Sequence, residues 1–238
     1  MITVDFNRLN IRVGCRILDI GCGSGRHTCA AHGFKNAVSI GADLSHAALV
    51  EARDRLRFHD RLGANGGGIW GLTVADVNGL PFEDDFFDLV ICSEVLEHIP
   101  EEQGAAKEII RVLKTGHNLV VSVPRFLPER ICWALSSQYR NSDNGHIRIY
   151  RKKELIGLLE NCGVKCWAHH YAHSLHTPYW WLKCLVGSDR KDAVLVNLYH
   201  RFLSWDIVKK PKPVRWMDRL MNPMLGKSLV VYLRKEKK

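Results

Sequence analysis

The sequence predicts an α/β fold: a doubly wound parallel sheet with helices on both faces and a helical insertion ahead of its last strand. Three observations predict it. Short apolar runs of strand length alternate with helix-like stretches between residues 15 and 172, the pattern of a sheet covered on both sides. Glycines at 21, 23 and 25 follow the first run directly, marking a tight strand-to-helix turn. Roughly 55 residues, 173–227, separate the sixth apolar run from the seventh, too many for a bare loop. Right-handed crossovers then put the ligand at the carboxyl ends of the strands.

The first strand is CRILDI at 15–20, and the helix beyond the glycines runs through about 26–33 and stops at Gly33. AVSIGAD at 37–43 is a second strand. Ser45 then caps a helix to about residue 56, since a serine oxygen accepts from a free N–H of the first turn. Gly66, Gly67 and Gly68 form a loop before the third strand at 69–76, and FDLVICS at 87–93 is the fourth. Pro100 opens a helix to about residue 113, NLVVSV at 118–123 is the fifth strand, and 124–149 reads as an irregular loop. A helix over 154–161 ends at Gly163, a sixth strand covers 164–172, and SLVVYLRK at 228–235 is the seventh. The chain thus divides into a core, 1–172 and 228–238, and an inserted cap, 173–227. Only about 16 residues precede the first strand, so the cap rather than the N-terminal segment is expected to cover the pocket.

Hydrophobic residues make up 46% of the 238 residues, enough for a sizeable core. The first residues lack the basic and apolar regions of a secretory leader, and no apolar stretch has the ~18 residues that a spanning helix needs. The eight cysteines lack paired metal-ligand spacing, which fits a reducing cytoplasm. Residues 1–172 hold 20 Lys+Arg against 20 Asp+Glu, and 173–238 hold 14 against 5, so the cap side carries the whole net charge of +9. A neutral core and a basic surface aimed at something anionic are expected.

Asp19, Gly21, Gly23 and Gly25 sit at the first turn with the spacing G-x-G-x-G. Position 26, where a dinucleotide site has its third small residue, is arginine, which disfavours a pyrophosphate. S-adenosylmethionine (SAM) suits the turn better. Its carboxylate can use the helix N-terminus, and its cationic groups suit an acid at Asp19. Asp43 ends the second strand, where it can accept from both ribose hydroxyls. Asp76 ends the third, where it can accept from the adenine amine. One such aspartate alone would be a turn or capping residue. Three at successive strand ends beside the glycines form one line along the crevice.

ILDIGCGSGRHT, IGADLS, VADVNGLPFEDDFFDLVICSEVLEHI and LKTGHNLVVSVP resemble the successive motifs of class I SAM-dependent methyltransferases. The likeness covers about 17–165 and is strongest to the branch that includes ubiquinone-biosynthesis O-methyltransferases. It implies a Rossmann-like seven-stranded sheet with an antiparallel last strand, and SAM as methyl donor. It also implies Asp43 at the ribose, Asp76 at the adenine, Leu44 and Val77 beside them, and Ser93 at the methionine end. Thr115 and His117 depart from the family's usual Pro and Gly, in a turn before the fifth strand. Residues 173–227 resemble nothing that carries over.

Methyl transfer requires an oriented acceptor and a group to take its proton. Glu94, Glu97 and His98 follow the fourth strand, and in a helical turn they share one face. His98 is therefore a candidate base, with His146 a second catalytic candidate in the loop after the fifth strand. The same Glu94, Glu97 and His98 could hold a divalent metal that acidifies an acceptor hydroxyl, with His146 as a fourth ligand. That pattern resembles the E-x-x-E-H of some ubiquinone-pathway enzymes and of small-RNA 2′-O-methyltransferases. His169, His170, His173 and His176 suggest a lining for the acceptor pocket rather than zinc, because neighbouring strand residues face opposite sides.

The expected function is methyl transfer to a small, hydrophobic acceptor, with oxygen as the favoured target. The alternatives are a metal-dependent RNA 2′-O-methyltransferase and a SAM-binding interaction module without catalysis. In the cap, Trp180, Trp181, Trp205 and Trp216 lie among Lys and Arg. That mixture suits an anionic membrane surface, which would make a cytoplasmic protein peripheral at the membrane. It also suits single-stranded RNA. Residues 193–208 read as an amphipathic helix packed on its own sheet.

Overall fold

The computed structural model describes residues 2–141, 145–187, 190 and 193–237. Its strands are β1 (Arg16–Ile20), β2 (Val38–Asp43), β3 (Ile69–Val74), β4 (Phe87–Ser93), β5 (Leu113–Pro124), β6 (Val164–Ala172) and β7 (Ser228–Lys235). The helices between β1 and β5 are α1 (Arg26–His32), α2 (His46–Arg61) and α3 (Glu102–Val112). After β5 come α4 (Phe126–Leu135), α5 (Ser137–Arg140) and α6 (Lys152–Glu160). The helices α7 (His176–Val186), α8 (Val194–Lys209) and α9 (Lys212–Leu225) lie between β6 and β7.

The strands form one seven-stranded sheet in the order β3-β2-β1-β4-β5-β7-β6, with β7 antiparallel to both neighbours. Alternation along each strand sends successive side chains to opposite faces. Leu18, Val90, Val121 and Val231 therefore share one layer with Ile109 of α3 and Leu155 of α6. Ile17, Leu89, Val120 and Val230 share the other with Ala31 of α1 and with Val4 and Leu9 of the N-terminal segment. The parallel register aligns the strand ends that build the site: Asp19 lies beside Gly41, Asp43 beside Val74, and Ser93 beside Ser122.

The N-terminal segment covers more than expected. Tyr232 of β7 accepts the Asp5 N–H at 2.8 Å, which pins residues 2–9 across the sheet. Thr3 and Val4 are buried, and the Thr3 hydroxyl lies 2.8 Å from Ser93 Oγ and 3.0 Å from His27 Nε2. A second difference is the stretch 124–149, expected as loop. It contains α4 and α5, with 142–144 outside the described residues. Pro128 is the third residue of α4, where the missing N–H has no helical partner to lose. The proline therefore starts this helix instead of breaking it. Third, α8, expected on the sheet, packs chiefly on α7, which in turn packs on α4.

Gly21 is the tightest backbone position of the first turn. Its φ is +63°, and an added Cβ would stand 2.2 Å from Val95 Cγ2. Gly21→Ala should destabilise the fold by about 1–3 kcal/mol in denaturant unfolding. Pairing it with Val95→Ala should return only part of that loss, because the clash is relieved and the left-handed backbone is not. Full recovery in the double variant would show that backbone conformation contributes nothing.

Candidate active site

The donor side begins where β1 ends. Asp19 is buried and accepts the Thr28 hydroxyl of α1 at 2.7 Å. The chain then turns through Gly21, Gly23 and Gly25, all at positive φ, before α1 starts. A Cβ on Gly23 would meet no atom within 4 Å, so the turn leaves open space against its backbone. Asp43 closes the turn from the next strand: its Oδ2 accepts the Gly23 N–H at 2.7 Å and its Oδ1 accepts the Ser45 N–H at 2.8 Å. Ser45 in turn caps α2 by accepting the Ala48 N–H at 3.2 Å. A carboxylate has about four acceptor directions, so Asp43 keeps capacity for ligand hydroxyls. Asp76 lies two residues past β3, exposed, and accepts the Asn78 N–H at 2.9 Å. Leu44 is 63% exposed beside Asp43, whereas Val77 is buried.

These residues fit a SAM donor. Burial pushes the Asp19 carboxyl up to about 7, against the opposing pull of the Thr28 hydroxyl and backbone N–H. A dry carboxylate in that condition calls for a cation beside it. The open backbone at Gly23, the half-exposed Asp43 and the uncovered Leu44 offer a polar contact and an apolar one to a nucleoside.

A chain of hydroxyls leads from the donor side to a second cluster. Ser93 Oγ lies 2.7 Å from Ser122 Oγ, which donates to Glu94 Oε1 at 3.2 Å. Glu94 has φ +57° and is followed by a short 3₁₀ turn, Leu96–His98, instead of an α-helix. That turn tucks Glu97 inward, fully buried, with neither carboxylate oxygen hydrogen-bonded. His98 stays exposed, its ring 5.0 Å from that of His146. Ligand atoms of Glu97, His98 and His146 lie within 4.8 Å of one another, while Glu94 turns to Ser122 and stays outside that group.

His146 has a partner that sequence reasoning missed. Its Nδ1 lies 2.6 Å from Oε1 of Glu129, a buried residue of α4, whose other oxygen is 3.7 Å from Lys227 Nζ. Burial raises the Glu129 carboxyl, but the His146 hydrogen bond and the Lys227 charge outweigh it and hold the group below its ordinary value. Glu97 goes the other way: burial and then the nearby Glu94 hold it well above the carboxylate range. Burial and then His146 lower His98. The rings of Tyr139 and Trp180 stand next to His146 in series, 6.5 Å from His146 to Tyr139 and 5.7 Å from Tyr139 to Trp180.

Comparison with known proteins agrees with this geometry. A family model described as a methyltransferase domain matches residues 18–121. Residues 18–121 are thus similar to a methyltransferase domain, carried on a sheet with the strand order of the class I methyltransferase fold. Methyltransferase GfsG of Streptomyces halstedii is 32% identical over 120 residues, covering 49% of this chain and 40% of that protein. The ubiquinone/menaquinone biosynthesis C-methyltransferase UbiE of Vibrio vulnificus is 35% identical over 126 residues, covering 49% of this chain and 45% of that protein. The chain thus spans less than half the length of these curated relatives. A putative methyltransferase from Bacillus halodurans shares the fold, with a TM-score of 0.66 and 19% identity, over 98% of this chain and 97% of that one.

His169, His170 and His173 line a cavity of about 780 Å³ between the N-terminal segment, β6 and α9, together with Arg8, Arg215 and Arg219. His176 lies against His173, with ring centroids 5.8 Å apart. Tyr179 does not line that cavity; it packs on Tyr199 and His200 of α8.

Asp19 also sets a pH dependence. In the unfolded chain it titrates near 3.8 and in the fold near 7. The fold therefore binds its proton more tightly, and this contribution to stability fades as pH rises from the first value through the second. Asp19→Asn cannot ionise. Its stability relative to the parent, without ligand, should rise by about 2–3 kcal/mol between about pH 5 and about pH 8. Parallel melting curves for both proteins across that range would contradict the assignment.

Proposed function

We propose that this chain transfers a methyl group from SAM to a small, hydrophobic acceptor, with His146 taking the acceptor's proton. The observation that carries this reading is the Glu129–His146 pair, 2.6 Å apart, near enough to Glu94 to act on its charge, with Glu94 bonded in turn to Ser122 and Ser122 to Ser93. A carboxylate on one ring nitrogen fixes the tautomer and leaves the other nitrogen able to accept a proton. Bound SAM supplies an electrophilic methyl group. Asp19 would face its ammonium, Asp43 its ribose hydroxyls, and Asp76 its adenine amine. Leu44 and Val77 would lie along the adenine edge, Ser93 would line the methionine end, and Gly21, Gly23 and Gly25 would let the backbone approach.

Tyr139 and Trp180 beside His146 favour a flat, apolar acceptor. Oxygen is the target expected from the sequence. The names of relatives such as UbiE refer to carbon. A phenolic hydroxyl and a carbon activated by a neighbouring oxygen both lose a proton, so one base serves either.

A second reading adds a divalent metal on Glu97, His98 and His146, with Glu129 orienting His146. It is favoured by the convergence of those three side chains and by the two buried, unpartnered oxygens of Glu97. If a metal takes part, turnover falls after EDTA treatment and returns with added Mg²⁺ or Mn²⁺. Turnover indifferent to EDTA removes it and leaves the His146 base intact.

Two variants test the principal reading, with labelled SAM and a panel of alkylated phenols and hydroquinones. Asp43→Ala should weaken SAM binding about tenfold or more in calorimetry, because charged hydrogen bonds to the ribose are lost. His146→Ala should lower turnover about 10²-fold or more while leaving SAM affinity within a few-fold. Parental turnover in His146→Ala excludes it as the base.

A further inference from the structure

The helix α9 is amphipathic with its faces reversed. Its acid and its amide point into the protein. Asp218 is buried and accepts the Ser174 hydroxyl at 2.8 Å and the Leu175 N–H at 3.2 Å. Asn222 accepts the Ser174 N–H at 2.9 Å. Its apolar residues point outward: Trp216 is 67% exposed, Leu220 63% and Met224 77%. At 100° per residue those three, four apart, form one stripe along the helix, with Met217 beside it. α8 does the same in part. Val196 and Leu203 are buried, while Val194, Leu198, Trp205 and Val208 are exposed.

The charges sort in the same sense. Both carboxylates of these helices, Asp206 and Asp218, are buried, and the exposed charges along 194–225 are cations: Arg201, Lys209, Lys210, Lys212 and Arg219. A protein partner covering an apolar stripe would tolerate either sign around it. A rim of one sign, with its acids withdrawn, fits an extended anionic surface. Tryptophan and long cationic side chains are the residues that settle at the boundary between headgroups and acyl chains. No helix among the described residues is long and apolar enough to cross a membrane, so such contact would be peripheral.

We propose that the outward faces of α8 and α9 dock on an anionic phospholipid surface, with Trp216, Leu220 and Met224 entering the headgroup region and Lys209, Lys210, Lys212 and Arg219 meeting lipid phosphates. The inference does not depend on which acceptor is methylated.

The test is co-sedimentation of the full chain with vesicles of phosphatidylcholine alone and of phosphatidylcholine mixed with phosphatidylglycerol in equal parts. Binding should be at least about tenfold stronger to the mixed vesicles and should weaken as salt is raised. Leu220→Glu and Trp216→Glu place a carboxylate on an exposed stripe. Each should cut vesicle binding about tenfold or more while leaving SAM affinity and melting temperature near the parent's. Lys210→Gln combined with Lys212→Gln should reduce the preference for anionic vesicles and leave the weak phosphatidylcholine binding unchanged. Equal binding to both vesicles, or parental binding by Leu220→Glu, overturns the proposal. So does a dimer in sedimentation velocity that Leu220→Glu dissociates when vesicles are not bound. Binding of single-stranded RNA in place of vesicles overturns it equally.

Discussion

Gly23 donates its N–H to Asp43 across 2.7 Å, and through that bond the turn after β1 is held against the end of β2. The same carboxylate takes the Ser45 N–H, which sets the start of α2. One side chain therefore fixes the glycine turn and the beginning of the second helix, beside the place proposed for a ribose. Backbone bonds from Cys22 to Ala42 and from Gly25 to Cys22, and the Arg55 guanidinium on Ser24 O, also brace the turn, but its glycines occupy backbone conformations that cost other residues energy, and Gly23 has no neighbour within reach of a Cβ. Charge-assisted bonds to backbone N–H groups are the stronger kind, so the carboxylate confers rigidity where the sequence has given up side chains.

The cluster beyond Ser93 poses a different electrostatic problem. Glu94, Glu97 and Glu129 converge with His98, His146 and Lys227 in a partly dry space, and the carboxylates cannot all ionise without strong repulsion. The structure separates their roles. Glu129 has His146 at 2.6 Å and Lys227 at 3.7 Å, and it keeps the negative charge. Glu97 has no hydrogen-bond partner and is driven toward its neutral form. Glu94 also rises through burial, but Lys227 and His146 moderate it. The His146 ring is thus held by an anion that stays charged, the arrangement that the proposed base requires.

The sequence made the strands and the glycine turn readable because both depend on neighbours in sequence. β4, β6 and β7 have the expected bounds, the helix cap at Ser45 is present, and the last strand is antiparallel as the family resemblance implied. Asp43 and the glycines lie at strand ends that apolar runs mark out. Glu129 and Lys227 carry no such mark. Glu129 reaches His146 from α4, and Lys227 reaches Glu129 from the residue before β7, so only tertiary packing joins them. α4 itself was hidden by Pro128, which reads as a breaker until its place in the first turn is known. The turn at Glu94 was hidden by a positive φ on a non-glycine residue, which no local pattern announces.

Helical periodicity shows that a face exists but not which way it points, and in α9 the direction is decided by polar groups elsewhere. The chain leaves β6 through His173 at φ +66°, and α7 then begins at His176, its N-cap Leu175 supplying no side-chain cap. Its first N–H groups and the Ser174 hydroxyl need acceptors, since unpaired buried donors are costly. Asp218 and Asn222 supply them from one side of α9, and Thr177 Oγ1 donates to Leu225 O at its end. Meeting that demand turns the helix so that residues four apart on its opposite side, Trp216, Leu220 and Met224, lose contact with the core. The apolar stripe therefore points outward because the polar groups at the start of α7 hold the other side of α9 inward. Rotating the stripe inward would strand the Ser174 and Leu175 donors.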